Sequence, residues 1–301
     1  MRSITNVTQN KTISIQFEEE EKLFPVHTVQ NMYKKAAPHY NAHAAITEEI
    51  AHRLADRLLD TKQKFESVLD LGAGTGILQK IITPQQNPKT FISADFSQTM
   101  LGQAQGLKVN LNAEEELPFA NQTFDLVISN LMLPWVNDVA KCLHMSGKVL
   151  KENGLLLAST LGSESFSEFR HAFEETGLGG SHIIPLPDIQ SVGAVLQRRG
   201  FALPVIDRDI IKMSYPSFEA IFADIKALGA RNLNPNKAKS LTSRSAWQKM
   251  ENFYRENHTL EDGSLCLTLE VIYLHGWRPH QSQQKALKPG SAKTSLATFL
   301  K

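Results

Sequence analysis

Two cysteines, Cys142 and Cys266, are all that the 301 residues contain, far apart and outside any C-x-x-C arrangement. Such a count gives no disulfide framework and no thiolate zinc site, and it fits a reduced compartment. Nor is there an apolar run near the ~20 residues that span a bilayer. The opening M-R-S-I-T-N-V-T-Q-N carries no apolar h-region, and Glu18 to Glu21 is an acidic run unlike a transit peptide. A cytoplasmic protein that is not exported is expected. Charge of one sign is lacking too. With 32 Lys and Arg against 31 Asp and Glu, the net charge is +1, which provides no global basic field for nucleic acid. No H-x-D or H-x-E occurs, and His171 with Glu174 and His258 with Glu261 are isolated i,i+3 pairs. The two-His, one-carboxylate set of non-haem iron is not assembled by either, so no metal site is expected. No internal repeat is present.

What the chain does have is 42% hydrophobic residues and, near its first quarter, the stretch F-E-S-V-L-D-L-G-A-G-T-G from Phe65 to Gly76. Val68 to Leu71 reads as a short buried strand, and Gly72, Gly74 and Gly76 as a tight turn into a helix from about Ile77 to Ile82. Glycines there permit positive φ and let a ligand approach the main chain. The helix would aim its free N–H groups at something anionic or nucleotide-like. A dinucleotide fold usually carries G-x-G-x-x-G, whereas this loop is G-x-G-x-G with Asp70 two positions before it.

The rest of the chain alternates strand and helix, which predicts a Rossmann-like, doubly wound, mostly parallel seven-stranded α/β sheet. Residues 1–27 are polar and aperiodic and read as a mobile arm. Helices occupy 28–62, with Pro38 as a break and Ile46, Ile50, Leu54 and Leu58 at helical spacing. Thr90 to Ala94 is a second strand ending at Asp95, about where a Rossmann-like sheet binds ribose hydroxyls. A helix cap is the alternative role, one that Ser97 could fill instead.

Thr123 to Asn130 is a buried fourth strand whose end, Ser129, Asn130 and Leu131, should line a ligand pocket. Trp135 could pack over that pocket or in the core. Val139 to Leu150 is helical and Leu155 to Ser159 a strand. Strands at Val205 to Met213 and Leu265 to Tyr273 then flank a helical insertion of about 215–262, expected as a lid. The domain is bounded at 28–280, and 281–301 reads as a tail.

The glycine loop with Asp70, the acid at Asp95, the N-A-E-E-E-L-P-F segment from Asn112 and the F-D-L-V-I-S-N strand resemble the motifs of class I S-adenosylmethionine-dependent methyltransferases. That resemblance implies S-adenosylmethionine as cofactor, with Asp70, Gly72, Ala73, Gly74, Gly76, Asp95, Phe96, Asn112, Ala113, Asn130 and Leu131 around it. The loop N–H groups would take its methionine carboxylate. Asn112 stands where the family usually has Asp, and its Oδ1 could still accept from the adenine amine. Glu114 to Glu116 reads as a solvated face.

K-A-A-P-H-Y-N-A-H at Lys35 to His43 and L-T-S-R-S-A-W-Q at Leu241 to Gln248 are similar to segments of the malonyl-[acyl-carrier protein] O-methyltransferases of biotin synthesis. W-V-N-D at Trp135, S-Y-P at Ser214, E-D-G-S at Glu261, G-W at Gly276 and P-G-S-A at Pro289 resemble the mitochondrial complex I assembly factor known as an arginine hydroxylase. The partners implied are a small-molecule or carrier-bound acyl group, or a complex I subunit. A non-catalytic S-adenosylmethionine-binding assembly protein is a third reading.

A carboxylate acceptor is already ionised at pH 7, so methyl transfer to it needs alignment more than a general base. Amine and base-ring acceptors often go with an Asn/Asp-Pro-Pro-Tyr motif after strand four. Here that place reads Ser129, Asn130, Leu131, Met132, against a nucleic-acid methyltransferase. Tyr40 corresponds to the Tyr of the biotin-pathway segment; it could contact sulfonium or acceptor or simply pack beside the proline break. His39 and His43 beside it read as structural. Arg231, Lys237, Lys239 and Arg244 make a basic stretch that suits an acidic carrier or a solvated face.

Overall fold

The computed structural model describes residues 23–178, 182–227, 232–233, 242–281 and 283. Residues 1–22 of the expected arm, nearly all of the expected tail, Pro235, Leu241, Arg231, Lys237 and Lys239 lie outside the described residues, as does P-G-S-A. Among the described residues no helix is long and apolar enough to cross a membrane.

Helix α1 (Val26–Ala36) and helix α2 (Ala45–Asp56) precede strand β1 (Ser67–Leu71). There follow α3 (Ile77–Gln86), β2 (Thr90–Asp95), α4 (Gln98–Leu101), β3 (Leu107–Asn110), β4 (Phe124–Asn130), α5 (Val139–Val149) and β5 (Leu150–Leu161). The second half holds α6 (Ser167–Glu175), α7 (Ile189–Arg198), β6 (Ala202–Tyr215), α8 (Phe218–Ala227), α9 (Arg244–Asn257) and β7 (Leu265–Trp277). One seven-stranded sheet has the order β3-β2-β1-β4-β5-β7-β6. β3 to β5 pair in parallel, and β7 runs antiparallel to both β5 and β6. The order reverses between β1 and β4, where open α/β sheets bind ligands beyond their carboxyl ends.

The buried strands are apolar on both faces because helices cover both. Leu69, Leu71, Val127 and Leu156 join one core layer with Cys142, Leu196 and Phe201. Val68, Leu126, Ile128 and Leu157 join the other with Ile50, Leu54 and Leu78. Three helix starts are fixed by side-chain caps: Asp138 accepts from the Lys141 N–H, Asp188 from that of Ser191, and Ser243 from that of Ala246. The S-R-S-A-W part of the motif at Leu241 is therefore a helix entry.

Two expectations change. Phe24, expected in a loose arm, is packed: it is buried, meets the edge of Trp135, and exchanges hydrogen bonds with the Asn137 side chain through its N–H and C=O. Strand β5 is longer than Leu155 to Ser159 because Asn153, at φ +58°, bends the chain within the strand without ending it.

Candidate functional site

A cavity of about 450 Å³ opens at the carboxyl ends of β1 and β4. Of the residues singled out in the sequence, Tyr40, Gly72, Gly74, Asp95, Phe96, Asn130 and Leu131 line it. Asp70 and Ala73 line a small adjoining cavity that shares Tyr40, Gly72, Gly74 and Asn130. Gly76, Asn112 and Ala113 line neither.

The three glycines have different reasons to be glycine. All sit at positive φ, +80°, +54° and +82°. A Cβ on Gly72 would lie 2.5 Å from the Met132 Cβ, and one on Gly76 would lie 3.0 Å from the Ala104 Cβ, so packing demands both. On Gly74 it would meet only the Met100 Cε, at 3.7 Å. The space in front of Gly74 is open, as a ligand lying on the backbone requires.

Four of the five loop N–H groups are taken by acceptors within the protein. Gly72 and Ala73 donate to the Ala94 carbonyl, Gly76 to the Ala73 carbonyl, and Gly74 to Asp95 Oδ2 at 2.8 Å. The donors left are the Thr75 N–H and those of the first turn of α3, which have no intrahelical acceptor; Thr75, Ile77 and Leu78 line the small cavity. Across it stands Asp70, 0% exposed, with neither carboxylate oxygen hydrogen-bonded. Burial, then the Asp95 charge, pushes its pKa well up. An orphaned carboxylate facing helix-start donors fits an amino acid zwitterion, ammonium to Asp70 and carboxylate to α3.

Asp95 orders the chain locally and stands on the cavity wall. Its Oδ1 accepts from the Ser97 N–H at 2.7 Å, which orders the start of α4, while the Ser97 side chain makes no cap. It also lines the cavity, and a carboxylate has lone pairs left for ribose hydroxyls. Burial raises its pKa to about 6, opposed by the Ser97 and Gly74 N–H bonds.

At the end of β4, Ser129 does not reach the pocket: it is buried and donates to the Leu71 carbonyl. Asn130 is locked by Thr47 and Ser159, and Leu131 adopts φ +55°, a strained value for a non-glycine residue facing a cavity. Asn112 Oδ1 accepts from the Glu114 N–H and its Nδ2 donates to Glu115. Glu114 is not simply solvated; it accepts from the Asn137 N–H and side chain, whereas Glu115 and Glu116 are exposed.

Trp135 lines the cavity with Tyr33, which meets both Trp135 and Phe96 edge-on. Burial raises the pKa of the Tyr40 hydroxyl, partly offset by its hydrogen bond with Thr47. Tyr40 is thus a hydrogen-bonding group at neutral pH and not a base.

Beyond Leu131 the cavity continues into a chamber that sequence reasoning did not foresee. Its wall includes Phe166, Phe169 and Phe173 from around α6, Phe222 from α8, and Leu267 and Leu269 from β7. Asp224 and Lys226 of α8 also reach the cavity. The signal for it lies scattered over segments remote in sequence. His43, read as structural, pairs with Asp224 at 2.7 Å. His171 and His258, each without a second His beside it in sequence, are brought to 3.1 Å of each other. No group of three or more His, Cys, Asp or Glu that could hold a metal occurs among the described residues.

Residues 40–204 match the methyltransferase domain family model. The human mitochondrial arginine-hydroxylase NDUFAF5 is 33% identical over 260 residues, which cover 83% of this chain and 75% of that protein. A malonyl-[acyl-carrier protein] O-methyltransferase of Laribacter hongkongensis is 32% identical over 277 residues, covering 87% and 92%. The YcgJ structure from Bacillus subtilis superposes with a TM-score of 0.54 at 16% identity, covering 76% of this chain and 99% of that one, a likeness of fold. With that family match, these relatives and the glycine loop, the chain belongs to the class I S-adenosylmethionine-dependent methyltransferases, uses S-adenosylmethionine as its cofactor, and lies close to both the malonyl-carrier methyltransferases and the NDUFAF5-like hydroxylases.

Proposed function

We propose that the chain is a methyltransferase that esterifies a carboxylate on a carrier-bound acyl group such as malonyl-[acyl-carrier protein]. The observation that carries this reading is the continuity of one cavity, from the Gly74 and Asp95 end into a chamber walled by Phe166, Phe169, Phe173 and Leu267. An apolar chamber accepts the body of an acyl group and excludes water around the reacting atoms. When bound, the cofactor supplies an electrophilic methyl whose sulfur leaves as a neutral thioether.

The residues of the chain have holding and orienting work only. Asp70 and the start of α3 hold the amino acid end, and Asp95 the ribose. Tyr40 and Thr47, hydrogen-bonded to each other, stand on the cavity wall. An ionised carboxylate acceptor releases no proton, so no base is needed, in keeping with Tyr40 protonated at neutral pH.

A second reading has its own observation. Asp224 places a carboxylate in the cavity wall, which suits the guanidinium of a partner protein's arginine, the group that the name of the human relative points to. Complementation tests the two. Expressed as soluble protein in a bacterium lacking its malonyl-carrier methyltransferase, this chain should restore growth without biotin. Failure to do so favours the arginine reading.

A further inference from the structure

The short 3-10 turn Tyr40–Ala42 is tied down on both sides. On the cofactor side, Thr75 of the glycine loop donates to Asn41 Oδ1 at 2.7 Å, and Asn41 Nδ2 donates to Gln103. On the other side, His43, whose N–H closes the turn onto the Tyr40 carbonyl, bonds Asp224 through Nδ1 at 2.7 Å. These partners are 181 residues apart in sequence. Asp224 is also hydrogen-bonded by the Tyr215 side chain at the end of β6. Tyr40, Asp224 and Tyr215 all line the one cavity. The turn therefore bridges the cofactor loop and helix α8, with Tyr40 facing the cavity between its two anchors.

We propose that the His43–Asp224 pair is the latch of this strap, closed over bound cofactor and opened for its exchange. Each side chain is 36% exposed. A side-chain pair so accessible contributes little to global stability. Its consequence is local: with the pair intact, residues 40–43 are held at two ends, and with it broken the turn keeps only its cofactor-side anchors, Asn41 and the Tyr40–Thr47 bond. α8 itself is seated by Phe218 and Ile221 in the apolar cluster with Phe169 and Tyr254, so loss of the pair releases the turn and leaves the helix in place. The cofactor suffices for this inference, which holds whichever acceptor is methylated.

The test is the rate at which S-adenosylmethionine leaves the full-length protein when displaced by excess S-adenosylhomocysteine. His43→Ala and Asp224→Ala are each expected to speed dissociation about five- to tenfold, the effect of one lost charge-assisted hydrogen bond. The double variant should be no faster than either single, and melting temperatures should stay within about 2 °C of wild type. His43→Gln, whose amide can still donate to Asp224, should keep dissociation close to the wild-type rate. Hydrogen exchange should rise at residues 40–47 in the alanine variants while β1 stays protected. Unchanged dissociation in folded single variants, or effects that add in the double, would overturn the latch; if both alanine variants fail to fold, the pair is structural and the proposal is likewise wrong.

Discussion

The Gly74 N–H donates to Asp95 Oδ2 at 2.8 Å, so the middle glycine of the loop and the acid at the end of β2 act as one unit. Because only the Met100 Cε lies near a Cβ on Gly74, a side chain there has room against the protein, at the cost of the strained +54° φ, and would stand where the ligand lies. Gly74→Asp adds a carboxylate beside Asp95 and Asp70. It should weaken S-adenosylmethionine binding at least about tenfold by calorimetry, with circular dichroism unchanged. Gly72→Ala should do the reverse and damage the fold, since its Cβ meets the Met132 Cβ at 2.5 Å.

Cofactor affinity should depend on pH through Asp95. With its pKa at about 6, the carboxyl is mostly protonated at pH 5 and mostly ionised at pH 7. Only the ionised form offers both oxygens as acceptors for ribose hydroxyls. The dissociation constant should therefore fall up to about tenfold from pH 5 to pH 7, and Asp95→Asn should bind more weakly with that slope removed.

Asp70 trades stability for binding. Its folded pKa lies above the unfolded value, so the folded state binds the extra proton and stability falls as pH rises past the ordinary carboxylate range. Asp70→Asn removes the buried charge and the repulsion with Asp95. Thermal melts of the cofactor-free protein at pH 7 should rise by about 2–4 °C, while cofactor affinity drops because the ammonium loses its anion.

Phe169 joins the chamber wall to the core. It is buried, with Tyr254 at 4.9 Å between ring centroids and Phe222 at 5.5 Å. Phe169→Ala should cost about 3–5 kcal/mol by urea denaturation. Phe173→Leu, at the less buried neighbouring ring, is expected to leave cofactor affinity intact and raise the Michaelis constant for an acyl acceptor.

The half of the molecule that holds the cofactor was legible in sequence because its constraints are local. The turn at Gly72 to Gly76 needs positive φ, β1 and β4 are short apolar runs, and Asp95 ends a strand. What was illegible depends on distant segments meeting. The glycine pattern points the loop N–H groups at an anion, yet the Ala94 carbonyl and Asp95 take three of them. Nothing local to His43 announces Asp224, and His171 and His258 each look solitary until α6 packs against α9. The packing of Phe24 on Trp135 is hidden for the same reason: in the sequence, polar neighbours before residue 23 mask a short apolar anchor.

The measurement that most directly tests the central claim is mass spectrometry of the acceptor. The protein would be incubated with S-adenosylmethionine carrying an isotopically labelled methyl group and malonyl-[acyl-carrier protein]. The account predicts a labelled methyl ester on the malonyl carboxylate, formed by wild type and lost in Gly74→Asp. An unmodified malonyl group, with an added oxygen on an arginine of a complex I subunit offered in parallel, would contradict it.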